Sequence, residues 1–124
     1  MKPNLQVLVI PWGGFTIGEV FLPSGVNGVI VRISANGSTI TNPWATLPGE
    51  KGHIHGGLHF DETGVFGGDL IVSTTRGNVW RVNSSGTSTL ITKVGSVGSP
   101  DLEGLTTAPN DPGKYGPWAG KIVV

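Results

Sequence analysis

Apolar positions along this chain come in short runs, and glycine or proline stops each run before it reaches helical length. The run from Leu5 to Ile10 ends at Pro11, and Leu70-Ile71-Val72 is held between Gly68-Asp69 and a polar Ser/Thr stretch. No window longer than about ten residues keeps apolar side chains at helical spacing without a Gly or Pro interrupting it. The pattern therefore predicts essentially no α-helix, and strands must carry the core. Uninterrupted apolar strands such as Leu70-Ile71-Val72 point to burial on both faces, as between stacked sheets. The polar run holding Thr87, Ser88, Thr89 and Thr92 suits a more exposed outer strand.

Comparing the chain with itself orders these strands, because repeats decide architecture before local propensity does. Gly28-Val29-Ile30-Val31-Arg32-Ile33-Ser34-Ala35-Asn36-Gly37 aligns with Gly77-Asn78-Val79-Trp80-Arg81-Val82-Asn83-Ser84-Ser85-Gly86, sharing both flanking glycines and the arginine. Gly57-Leu58-His59-Phe60-Asp61 resembles Gly104-Leu105-Thr106-Thr107-Ala108. Gly18-Glu19-Val20-Phe21-Leu22 recurs as Gly68-Asp69-Leu70-Ile71-Val72 and again as Gly120-Lys121-Ile122-Val123-Val124, at a spacing near fifty residues. One unit then reads as a four-stranded meander: a short inner strand, a Gly-charged-apolar strand, an Arg-bearing strand and a Thr/Ser-rich outer strand. Residues 1–124 form a single all-β unit on this reading, with repeats over 5–47 and 56–94 and a partial repeat over 103–124.

Composition agrees with strands and tight turns. Gly (21) and Pro (9) are abundant, yet 37% of the residues are apolar, four are Trp and only 13% are charged, which is a folding composition and not a disordered one. Eight basic and eight acidic side chains give a formal net charge of zero, so no field attracts nucleic acid or an anionic membrane. The absence of cysteine excludes disulfides, thiolate metal sites and thiol nucleophiles. The apolar stretch before Pro11 is too short for a signal segment or a membrane span, so neither is expected in this chain and no compartment is indicated.

The pattern resembles the six-bladed β-propellers of the NHL, regucalcin/gluconolactonase and virginiamycin B lyase type. The residues that carry the resemblance are Gly57-Leu58-His59-Phe60-Asp61, Gly68-Asp69-Leu70-Ile71-Val72-Ser73, Gly77-Asn78-Val79-Trp80-Arg81-Val82 and Ser85-Gly86. It implies about two and a half four-stranded blades, where a closed propeller uses at least about four. A self-contained β-sandwich or barrel of short strands is the alternative architecture. The resemblance also implies a central divalent cation held by oxygen ligands, among them a Glu near the start of an inner strand. Glu103-Gly104-Leu105 matches that single element.

Candidate chemistry concentrates in His53-Ile54-His55-Gly56-Gly57-Leu58-His59-Phe60-Asp61, where every histidine of the chain and an aspartate occupy odd positions. A His-x-His pair on an extended segment places two imidazoles near one metal, with a carboxylate from a neighbouring strand as third ligand. His53, His55 and Glu103 are the candidate ligands, for Ca²⁺ or Zn²⁺. Gly56-Gly57 is expected to break the extended run and send His59 and Asp61 elsewhere. The loop from Asp61 to Asp69 lacks EF-hand spacing and reads as a turn. Gly doublets are not followed by Lys-Ser/Thr, and neither Gly-x-Ser-x-Gly nor His-Glu-x-x-His occurs. Trp12, Trp44 and Trp118 each follow a proline and are candidates for stacking on a ligand, with packing of each loop beneath its sheet as the alternative. Arg32 and Arg81, at matched positions, read as a repeated structural ion pair or backbone contact.

With no complete catalytic set, the sequence favours a binding or assembly module that presents loops to a carbohydrate or protein partner. A fragment of a metal-dependent propeller lactonase, esterase or lyase is the alternative, and either self-association into a homo-oligomer or pairing with the missing remainder of a propeller is expected from strands a lone copy leaves unpaired. Far-ultraviolet circular dichroism should give a β spectrum. A helix content above about one third, the average for globular proteins, would refute the repeat.

Overall fold

The computed structural model describes residues 6–7, 13–55, 57–94 and 101–124. Among them the regular structure is nearly all strand, in three antiparallel sheets of which none closes on itself. The first sheet holds β1 (Gln6–Val7), β2 (Val20–Pro23), β3 (Val29–Ile33) and β4 (Ile40–Thr46), hydrogen-bonded in sequence order. The second holds β5 (Leu58–Phe60), β6 (Leu70–Ser73), β7 (Asn78–Val82) and β8 (Ser88–Lys93), again in sequence order. The third pairs β9 (Thr106–Thr107) with β10 (Ile122–Val123). A single helical turn, α1 (Pro112–Tyr115), and a 3₁₀ turn at Gly116–Trp118 lie in the connection between them. Asp111 caps that turn by accepting from the Lys114 amide, and Pro112 fills the first helical position, where no amide hydrogen is needed.

The self-alignment of the sequence is reproduced as strand register. Phe21 faces Arg32 across β2 and β3, as Ile71 faces Arg81 across β6 and β7. Phe60 pairs with Leu70, and Thr107 pairs with Ile122 at the corresponding place in the third sheet. Both matched arginines are committed to structure. Arg32 binds Glu19 and Arg81 binds Asp69, each acidic residue being the one that follows the glycine opening its strand. Arg81 also donates to the Phe66 carbonyl at 2.7 Å, tying the loop before β6 to β7. The outer strands carry the exposed polar residues, and Pro43 sits on the edge strand β4, where a missing ladder donor is tolerated.

Alternation across the pleat gives each sheet two apolar faces with different neighbours. Leu70, Val72, Trp80 and Val82 of the second sheet pack with Phe21, Ile30 and Ala45 of the first and with Leu47 just after β4, in a cluster that includes Phe15 and Phe60. The aromatic members meet edge to face: Phe15 lies 5.0 Å from Phe60 and Phe21 lies 4.7 Å from Trp44 between ring centroids. The opposite face of the second sheet, carrying Ile71 and Val79, packs with Leu102 and with the partly buried Leu105 and Ile122 of the third unit.

A buried carboxylate fastens the first seam. Glu50 lies in the connection from β4 to β5, whose backbone hooks onto the first sheet through Leu47 N–H to Gly28 O and Gly28 N–H to Gly52 O. Its Oε2 accepts from Asn78 Nδ2 at 2.8 Å, Trp80 Nε1 at 3.0 Å and Thr74 Oγ1 at 3.1 Å, all in the second sheet's unit. Its Oε1 accepts from the Gly52 amide at 2.7 Å. Burial pushes the Glu50 pKa up, but the hydrogen bonds from Asn78, Trp80, Gly52 and Thr74 outweigh it and hold the group below the usual carboxylate value. The stabilisation this represents is complete above that usual value and is lost as pH falls through the lowered one.

Trp80 is buried while Leu90, its neighbour across the β7 and β8 pair, is exposed, so the two positions form an internal control. Trp80→Ala should lose about 3 to 5 kcal/mol of unfolding free energy in chemical denaturation, and Leu90→Ala about 0.5 kcal/mol or less. A Trp80→Ala loss below about 1 kcal/mol would contradict the packing of the first seam.

Candidate metal centre

Two short segments with the same polar-apolar-polar pattern meet where β5 and β9 begin. In the first, His53 is tied to Thr75 twice, its amide donating to Thr75 Oγ1 and its carbonyl accepting from the Thr75 amide, both at 2.9 Å. That anchor puts Ile54 into the main core and turns the flanking imidazoles outward, where they stack at a centroid distance of 5.6 Å with planes 4° apart. In the second, Leu102 is buried against Ile71 and Val79, so Asp101 and Glu103 face the other way and remain exposed.

The two segments bring His55, Asp101 and Glu103 together. One ligand atom from each lies within 4.8 Å of the others, and His55 Nδ1 stands 3.9 Å from Asp101 Oδ1. Three donors around a four-coordinate zinc sit about 3.3 Å apart, from metal-ligand distances near 2.0–2.1 Å, so a small closure by the two exposed carboxylates would complete the set. One imidazole with two carboxylates is a mixed nitrogen and oxygen donor set suited to Zn²⁺ or Mn²⁺. Ca²⁺ takes about six to eight oxygen ligands, and the trio supplies only the two carboxylates toward that number.

Of the ligands nominated from sequence, His55 and Glu103 enter this cluster, whereas His53 stacks on His55 from outside it. Asp101 was not nominated. Its signal was the alternation around Leu102, the same arrangement that His53-Ile54-His55 shows. His59 and Asp61 go elsewhere, as the glycine pair implies. Asp61 is fully buried and organises its own loop, accepting from the Thr63 amide and hydroxyl on Oδ1 and from the Phe66 and Gly68 amides on Oδ2. Burial raises its pKa, and those four hydrogen bonds together bring it below the ordinary value. The carboxylate is engaged as a turn organiser.

Among the tryptophans, Trp44 is half-buried, its ring packed on Phe21 and Phe15, while Trp118 is 67% exposed. Trp12 lies outside the described residues. A separate cleft of about 290 Å³ is lined by Gly49, Glu50, Lys51, Arg76, Asn78 and Lys93, with the fully engaged Glu50 carboxylate among its walls. No helix among the described residues is long and apolar enough to cross a membrane. Comparison with protein families, with curated proteins and with solved structures returned no match to this chain.

His59 adds a titratable group to the second seam, the contact between the second and third sheets. Its Nε2 lies 3.1 Å from Thr107 Oγ1, across from β5 to β9. Burial lowers its pKa below the usual 6.5, against the opposing pull of Glu62 and Asp61. The folded chain thus favours neutral His59, and the unfolded chain takes up the proton at higher pH. Stability from this group is intact above the usual value and is lost as pH falls from there through the lowered one. The thermal midpoint should fall between about pH 7.5 and 5.5, and by less in His59→Gln. Equal falls in both proteins would show that His59 does not carry the effect.

Proposed function

We propose that this chain is a propeller-type binding module, its sheets being blades, and that the openings of its inner strands hold a divalent cation between His55, Asp101 and Glu103. The observation that carries the reading is the convergence of those donors from two sequence-distant segments, each oriented by one buried apolar residue. The sequential meander order of the two four-stranded sheets and their matched register support the blade assignment, since a propeller repeats one such sheet around an axis.

Three protein donors leave coordination positions open. Those positions suit an oxygen ligand, such as a carbohydrate hydroxyl or a carboxylate of a protein partner. Bound there, a divalent cation supplies Lewis acidity toward a carbonyl oxygen, the chemistry that a lactonase, esterase or lyase of this architecture would use. The chain's own contribution is to orient the three donors: Leu102 sets Asp101 and Glu103, while Ile54 and the Thr75 bonds set His55.

Calorimetric titration with ZnCl₂, MnCl₂ and CaCl₂ tests this directly. One Zn²⁺ or Mn²⁺ site per chain is expected, with weaker Ca²⁺ binding. Asp101→Asn and Glu103→Gln should each weaken it by about tenfold or more, since even outer partners of metal ligands are worth about 10- to 100-fold. Trp118→Ala should leave it unchanged. Absence of a binding heat, or wild-type affinity in folded Glu103→Gln, would end the metal assignment.

A further inference from the structure

We infer that the cleft beside Glu50 binds the phosphate group of a small phosphate monoester, at a site that does not depend on the metal centre. Three segments build it. The connection from β4 to β5 supplies Gly49, Glu50 and Lys51, the turn between β6 and β7 supplies Arg76 ahead of Asn78, and the end of β8 supplies Lys93. Its volume of about 290 Å³ lies at the foot of the range for small-molecule sites, about 300–1,000 Å³. Apart from Gly49 every lining residue is polar or charged, so an apolar ligand has nothing to pack on.

The backbone is pinned so that the three cations share one opening. Asn78 and Lys93 are direct partners across β7 and β8, which places their side chains on one face. Thr74 donates through Oγ1 to Glu50 and accepts from the Arg76 amide at 3.4 Å, coupling the turn to the buried carboxylate. Gly52 permits the approach. A Cβ there would stand 2.9 Å from the Arg76 backbone nitrogen and 3.0 Å from its Cγ, so the arginine stem runs against the connection that carries Lys51.

The charge gathered at this opening has no answer elsewhere in the fold. All eight acidic residues of the chain are among the described residues, and Glu50 alone of them lines the cleft. The ion pairs among the described residues engage Arg32, Arg81 and His55, and none engages Lys51, Arg76 or Lys93. Three cations against one carboxylate leave the cleft at a formal charge of plus two, in a chain whose formal total is zero. A phosphate monoester carries about −1.5 to −2 at pH 7 and matches that charge, whereas a carboxylate would neutralise half of it. The planar Arg76 guanidinium offers a fork for two phosphate oxygens, and the two lysines add point charges around them.

Calorimetric titration at low ionic strength, with glycerol phosphate, inorganic phosphate, glycerate and glycerol as probes, tests the inference. Glycerol phosphate should bind once per chain and raise the thermal midpoint. Inorganic phosphate should bind more weakly because it leaves part of the cleft unfilled, glycerate about tenfold more weakly or worse, and glycerol not measurably. Arg76→Gln and Lys93→Gln should each weaken the ester about tenfold or more, the worth of one hydrogen bond to a charged group. Both positions are exposed, so the far-ultraviolet spectrum of each variant should match wild type. Lys114→Gln, at a cation on α1, should bind the ester like wild type. No binding heat together with an unshifted midpoint, or equal weakening by Lys114→Gln and Arg76→Gln, would overturn the inference. Glycerate that binds as tightly as the ester would remove the charge match, and inorganic phosphate that does so would overturn the ester as ligand.

Discussion

The placement of one buried carboxylate governs how the first two sheets meet. An unpaired buried carboxylate is costly by several kcal/mol, and only convergent donors offset that. Glu50 obtains four of them, and three belong to the second sheet's unit: Thr74, Asn78 and the Trp80 indole. The connection that carries Glu50 is at the same time bonded to Gly28, between β2 and β3 of the first sheet. A single side chain therefore fixes the path from β4 to β5, which in turn delivers His53-Ile54-His55 to the opening of β5. Gly28 shows how close this approach is, since a Cβ there would stand 2.9 Å from the Glu50 Cβ and its φ of +65° also favours glycine.

From that fastening the rest follows by repetition. The same register and the same ion pair between the second and third strands recur from the first sheet to the second. The candidate metal centre belongs to this logic. Each of its segments is an extended stretch with one buried apolar anchor, so the polar neighbours must point outward together. Proximity of the imidazole and the two carboxylates is then a consequence of stacking successive units, and any change that shifts the second seam shifts the donor set with it.

How much of this was legible in the sequence depended on whether the determinant was local. Strand positions, glycine turns and the Arg32 and Arg81 pairs were readable because the repeat shows them twice in linear order. The helical turn at Pro112–Tyr115 was missed, since it is too short to create a periodicity, although Asp111 followed by proline is a helix-start signal. Glu50 was invisible as a fastener, because its donors at 74, 78 and 80 become neighbours only when two sheets face each other. Asp101 was passed over in favour of Glu103 alone for the same reason: the sequence shows the alternation, but the tertiary contact of Leu102 decides which way both carboxylates point.

The most direct measurement of this account is a double-mutant cycle between Glu50→Ala and Trp80→Phe, read by chemical denaturation. Trp80→Phe removes the indole N–H while keeping an aromatic ring in the seam. If the carboxylate fastens the second sheet through that N–H, the two losses should fall short of additivity by about 1.5 to 3 kcal/mol, the range for hydrogen bonds to charged groups. Additivity within about 0.5 kcal/mol would show that Glu50 and Trp80 act independently, and would contradict the buried carboxylate as the element that sets the first sheet against the second.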